Sequence, residues 1–162
     1  MKTARRHSAG ISIVEIVVSA GIIAVAVLGI TGAWRLYLKV ANQSTMYAQG
    51  ALMVEEAEEA ITLMRDFSWS RYISPLTLNT NYYLYWNGSA YVATTTAQTS
   101  ANGYIRTLVF RSVQRDSNSN IVLSSGIVDS RTKNVLITVV PANATTTVVG
   151  QSDMLIHNVY SN

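Results

Sequence analysis

Apolar and polar positions divide the chain into a greasy amino-terminal stretch and a polar, strand-like second half. From Ile11 to Trp34 the residues are apolar or small, and one charge, Glu15, interrupts the run. Ile16 to Trp34 supplies 19 residues without a charge, about 28 Å of helix at 1.5 Å per residue, close to one bilayer core. Trp34, Arg35, Tyr37 and Lys39 follow, an aromatic and basic group suited to a membrane–water interface. After Lys39 no proline or tight-turn pair intervenes, and the helical period persists to about Asp66, weakened at Gly50. Leu52, Ala57, Ala60, Ile61 and Met64 mark the expected inward stripe. A single helix over residues 11–66 would be about 84 Å long.

Beyond Asp66 the period shortens. Pro75 and residues 79–81 mark a loop. Tyr82–Trp86, Asn87-Gly88 and Ser89–Thr95 predict a β-hairpin with a two-residue turn. Residues 94–102 are small and polar and predict a loop. Strands are expected at Tyr104–Gln114 and at Asn134–Val140, which ends at Pro141, with a turn at Asp116–Asn120. Thr145–Val149 and Met154–Tyr160 are expected as a final pair, joined by residues 150–153. The expected class is α+β: a long helix carrying a small antiparallel sheet on its second half.

Composition sharpens this picture. Among 162 residues, 49% are hydrophobic and 13% charged, about half the usual charged fraction. There is no cysteine, which removes disulfides, lipid attachment at cysteine and thiolate metal sites. The net charge of +3 resides in the first ten residues, which hold Lys2, Arg5 and Arg6; the other 152 carry nine basic and nine acidic groups, since 12 minus 3 is 9. The basic pI is therefore no argument for nucleic-acid binding. The basic start, set against Arg35 and Lys39, leaves the amino terminus in the cytoplasm and exports the remainder.

Glu15 discriminates among three accounts of the apolar run. A secretory signal peptide would use Ala24-Val25-Ala26 as its cleavage pattern and begin the mature chain at Val27. It would place an acid in the apolar region and cut an unbroken run. A plain single-span anchor fits by length but leaves Glu15 without a purpose, at about 2.5–3.5 kcal/mol for a charge deep in the membrane. Cleavage between Gly10 and Ile11 gives Glu15 a partner. The new amine heads the helix, and Glu15 lies four residues on, one turn along the same face. The pair neutralises two charges within one chain or between neighbours, and between neighbours it also sets an axial register.

Gly10-Ile11-Ser12-Ile13-Val14-Glu15, preceded by a basic leader and followed by an apolar run, resembles the processing motif of type IV pilins and pseudopilins. In that family a prepilin peptidase cuts after the glycine, the new amino-terminal residue is N-methylated, and a glutamate is the fifth mature residue. Ile11 stands where the family often has phenylalanine. The resemblance implies a pilin fold with a leader at 1–10, a transmembrane and assembly segment at 11–34, an exported helical half at 35–66 and a sheet head at 67–162. It implies cleavage at Gly10 and Ile11, N-methylation of Ile11 and charge pairing by Glu15. The implied partners are other pilin subunits, the peptidase and an inner-membrane assembly platform; no cofactor is implied. The implied location is the inner membrane, single-pass, and then a pilus at the cell surface. A pseudopilin of a type II secretion or DNA-uptake system shares these features. A single-span surface protein whose sheet binds a ligand is the alternative from another class.

Other residues carry weaker signals. Ala20 to Ala24 and Gly29 to Ala33 have the small-xxx-small spacing that lets helices approach. Glu55, Glu56, Glu58 and Glu59 lack a nearby histidine and are expected on a solvated helix face. Tyr82, Tyr83, Tyr85, Trp86 and Tyr91 fit sheet packing better than an adhesive face. Arg111 and Arg115 share strand parity and Arg106 does not, so no basic face for nucleic acid follows. His157 is the one histidine beyond the leader, and no phosphate loop or nucleophile elbow is present. The chain is not expected to be an enzyme.

Overall fold

The computed structural model describes residues 12–159 and divides the chain into two compact units, Met1–Ser44 and Thr45–Asn162. Helix α1 runs from Ile13 to Phe67. A π-helical turn, Trp69–Ile73, follows. The strands are β1 (Asn81–Trp86), β2 (Tyr91–Thr94), β3 (Tyr104–Arg115), β4 (Ile121–Val122), β5 (Ile127–Pro141) and β6 (Gly150–His157). The class is α+β, as the hydrophobic pattern predicts.

In the first unit the described helical residues enclose no core. The large apolar side chains from Ile13 to Val40 are between 43% and 79% exposed. The stretch is long and apolar enough to cross a membrane.

In the second unit the sheet order is β2-β1-β3-β5-β6, every neighbouring pair is antiparallel, and β4 pairs with the end of β3. The last turns of α1 cover one face. Gly50, Met53, Val54, Ala57, Ala60, Ile61 and Met64 are buried, a spacing of three and four residues that keeps one stripe on the sheet. Leu52, expected in this stripe, is 64% exposed; it lies five residues before Ala57, out of phase with the others. Opposite the stripe, β3 contributes Leu108 and Phe110, β5 contributes Val135, Ile137 and Val139, and β6 contributes Ile156, all with no measurable exposure. Full burial of each is worth roughly 1.5–3 kcal/mol. Tyr82 meets Phe110 edge-on, and its hydroxyl accepts the Thr77 amide at 2.9 Å. From the middle of the sheet Lys133 donates to the Ile73 and Leu76 carbonyls at 2.8 and 3.2 Å, fixing the end of the π-helical turn.

Two glycines set how closely the helix approaches. A Cβ on Gly50 would lie 2.4 Å from the Val149 carbonyl oxygen, and one on Gly150 would lie 2.6 Å from the Gly50 carbonyl oxygen. Gly50, which weakens the helical pattern in sequence, is thus where helix backbone meets strand backbone.

The strand boundaries differ from expectation in three places. The hairpin loop spans Asn87–Ala90, because the Asn87 side chain accepts the Ser89 and Ala90 amides and its backbone bonds Ala90. β5 begins at Ile127, seven residues early; its polar first half is held by side chains described below. Thr145 and Thr146 form a turn and residues 147–149 are irregular, with the Thr147 amide bonded to Ala144 and the Val149 amide to Val139. β6 instead starts at Gly150 and pairs with β5 from Val139 to Thr132.

Candidate functional site

The residues singled out for processing, Gly10 and Ile11, lie outside the described residues. The structure does describe the start of the helix beside them. Ser12 caps it: its hydroxyl accepts the Val14 amide at 3.3 Å, and its carbonyl accepts the Glu15 and Ile16 amides at 3.0 and 3.2 Å. Glu15 occupies the first turn, where a carboxylate also gains about 0.3–1 kcal/mol from the helix dipole when exposed to water. Its side chain is exposed and has no ion pair among the described residues. Ser19 and Ala20 leave a shallow hollow beside it, walled by Ile16 and Ile23.

The Thr31 hydroxyl returns to the Leu28 carbonyl at 2.9 Å, removing a polar group from the helix surface. Gly21, Gly29 and Gly32 have open space where a Cβ would stand. Trp34 and Tyr37 lie 5.9 Å apart at the end of the apolar run. The result is a helix surface that is apolar on every side, notched by glycines, and charged only at Glu15 before Arg35. In water such a surface far exceeds the few hundred square ångströms of contiguous apolar area that a soluble monomer exposes.

In the second unit the acidic cluster splits by partner. Glu56 accepts Arg106 Nη1 at 3.0 Å and the Tyr91 hydroxyl at 2.7 Å. Arg106 is 6% exposed and also reaches the Met53 carbonyl at 3.4 Å. Donating to Glu56 holds the Tyr91 hydroxyl above its ordinary pKa, with burial adding to the effect. Glu58 accepts the Ser152 hydroxyl. Glu55 and Glu59 are exposed and make neither a hydrogen bond nor an ion pair among the described residues. The solvated-face expectation therefore holds for Glu55 and Glu59; Glu56 and Glu58 tie the helix to the sheet. Sequence gave no means of separating them, because the partners lie 35 to 94 residues away.

Asp129 organises the irregular half of β5. One carboxylate oxygen accepts Arg115 Nε at 2.7 Å and the Thr132 hydroxyl at 2.6 Å; the other accepts the Arg131 amide at 2.9 Å. These bonds sit where the β3–β5 register jumps from Ser112↔Lys133 to Val113↔Asp129. They hold the Asp129 carboxyl well below the usual carboxylate range, the Arg115 hydrogen bond contributing most. The jump carries Val113 onto the buried face, so the shared parity expected for Arg111 and Arg115 fails. His157 Nδ1 lies 2.9 Å from the Thr132 hydroxyl. Because that hydroxyl donates to Asp129, the ring nitrogen is the donor.

The aromatic cluster is divided as well. Tyr82 is buried, while Trp86 is 56% exposed and stands edge-on to Tyr91 at 5.1 Å. Together with Leu63, Phe67, Tyr72 and Ala90 they border an apolar groove of about 490 Å³, within the size range of small-molecule sites.

No protein-family model, curated protein or solved structure matches the chain.

Proposed function

We propose that this chain is a type IV pilin-like structural subunit. A peptidase removes the leader after Gly10, and the apolar helix anchors the mature chain in the cytoplasmic membrane before packing against sibling helices in a filament. The observation that carries this reading is the unburied apolar helix with one acid in its first turn, four residues past the proposed new amino terminus. A membrane accounts for the apolar surface, and a freed amine at Ile11 accounts for the acid. The amine of Ile11 is the N-methylation site, and Glu15 pairs with it or with a neighbour's. The working partners are copies of this chain or related subunits, the peptidase and an assembly platform; catalysis is not part of the role.

The same arguments serve a pseudopilin of a secretion or DNA-uptake machine, which differs in the machine that extends it. The second reading, a membrane-anchored surface protein that binds a ligand, is favoured by the apolar groove at Trp86 and Phe67; it requires neither cleavage nor filaments. Glu15→Ala tests the primary reading. The variant is expected to be processed as the native chain is and to form few or no filaments in electron micrographs; native filament numbers would contradict the role given to Glu15.

A further inference from the structure

The helix carries two pairs of charges that no ion pair among the described residues neutralises. Arg35 and Lys39, in the first unit, are exposed and make no ion pair among the described residues. Being four residues apart, they share a face. Glu55 and Glu59, in the second unit, are equally exposed, equally unpaired and also four residues apart. Their neighbours Glu56 and Glu58 are engaged by Arg106, Tyr91 and Ser152, so only the outer pair is free to meet another molecule. The offsets match: 55 minus 35 and 59 minus 39 are both 20.

We propose that the Arg35–Lys39 face of one copy docks on the Glu55–Glu59 face of a second copy, with Arg35 opposite Glu55 and Lys39 opposite Glu59. The proposal rests on the filament reading, which makes neighbouring helices parallel because all copies enter the membrane in one orientation. Equal spacing lets both pairs form at once in a single register, and sliding by one turn opposes only one cation to one acid. The basic and acidic faces are different patches of the same chain. The contact is therefore heterologous: each copy keeps one face of each sign open for the next, and the series extends without closing. A Glu15–amine contact between neighbours acts inside the apolar segment; the outer pairs act where water and salt reach them. Assembly is accordingly weakened by raised ionic strength.

The chain has no cysteine, so introduced thiols report without background. Two full-length chains with different tags are produced together in the cell that assembles the native protein, and oxidised filaments are resolved without reductant. Arg35→Cys with Glu55→Cys, and Lys39→Cys with Glu59→Cys, are expected to give mixed dimers. Arg35→Cys with Glu59→Cys, one turn out of register, should give at least about fivefold less, since a disulfide tolerates Cα separations of only about 4.4–6.8 Å. Charge reversal is the second arm. Arg35→Glu with Lys39→Glu loses filaments, and adding Glu55→Lys with Glu59→Lys restores them. Filaments that form without the in-register bonds, or without rescue by the second reversal, overturn the pairing and leave the filament reading intact. A native chain that keeps Met1 and builds no filaments overturns both.

Discussion

Replacing Gly50 with alanine sets two effects of opposite sign against each other. Mid-helix, alanine gains about 1 kcal/mol over glycine from propensity alone. Here the new Cβ would stand 2.4 Å from the Val149 oxygen and 2.6 Å from its carbonyl carbon, where ordinary contact begins at 3.4 Å. The helix must retreat by about 1.0 Å, the difference between 3.4 and 2.4, because backbone cannot rotate aside as a side chain can. That retreat loosens Met53, Val54 and Ala57 against the sheet. Overpacking costs typically about 1–3 kcal/mol, and a rigid neighbour puts this site at the upper end. The expected net loss is about 1–2 kcal/mol, or roughly 3–8 °C in Tm. Urea unfolding of the full chain in detergent, followed by Trp69 and Trp86 fluorescence, measures it. Gly29→Ala is the control: with nothing within 4 Å of its Cβ, only the propensity gain remains. A Gly50→Ala chain as stable as the native one, or more stable, would refute the close backbone approach.

Other perturbations separate groups that look alike in sequence. Glu56→Gln should cost about 1–2 kcal/mol, because it leaves the buried Arg106 charge unpaired; half-exposure of Glu56 keeps the loss below the full penalty for a buried pair. Glu55→Gln should stay within about 0.5 kcal/mol. In Glu56→Gln the raised pKa of Tyr91 should fall toward its ordinary value, seen by ultraviolet titration. The Tyr91 contribution is present below pH 10 and lost as pH rises through its folded pKa. Asp129→Asn should cost about 1–3 kcal/mol near neutral pH by weakening three hydrogen bonds. Since the folded Asp129 pKa is depressed, its contribution exists above the unfolded value of about 3.9 and fades as pH falls below it. The native chain and the variant should therefore converge in acid, and a difference independent of pH would contradict the role given to the carboxylate.

Much of the architecture was legible because it rests on periodicity. An apolar run followed by a three-and-four spacing gives a helix, and Tyr104 onward alternates cleanly enough to give β3. Most of the misses share a different origin: they are decided by a partner distant in sequence. Residues 127–133 lie outside the expected strands, and it is Arg115 and Thr132 meeting on Asp129 that hold them in β5. Gly50 looks like a weak point until Val149 and Gly150 arrive against it. Thr145–Val149 has the β-branched composition of a strand, yet the Ala144 carbonyl takes the Thr147 amide and closes a turn there. The acidic cluster is uniform as a string and becomes two working and two free carboxylates once Arg106, Tyr91 and Ser152 are in place. At the helix start, Glu15 was identifiable because an acid in an apolar run conflicts with its surroundings.

That conflict is also where the functional account is most exposed to test. Mature protein isolated from membranes or surface fibres should yield, by mass spectrometry, an amino-terminal peptide beginning at Ile11, with a methyl group on its amine. A mature chain that retains Met1, or one that begins at Val27, would leave Glu15 without its proposed partner and contradict the assignment.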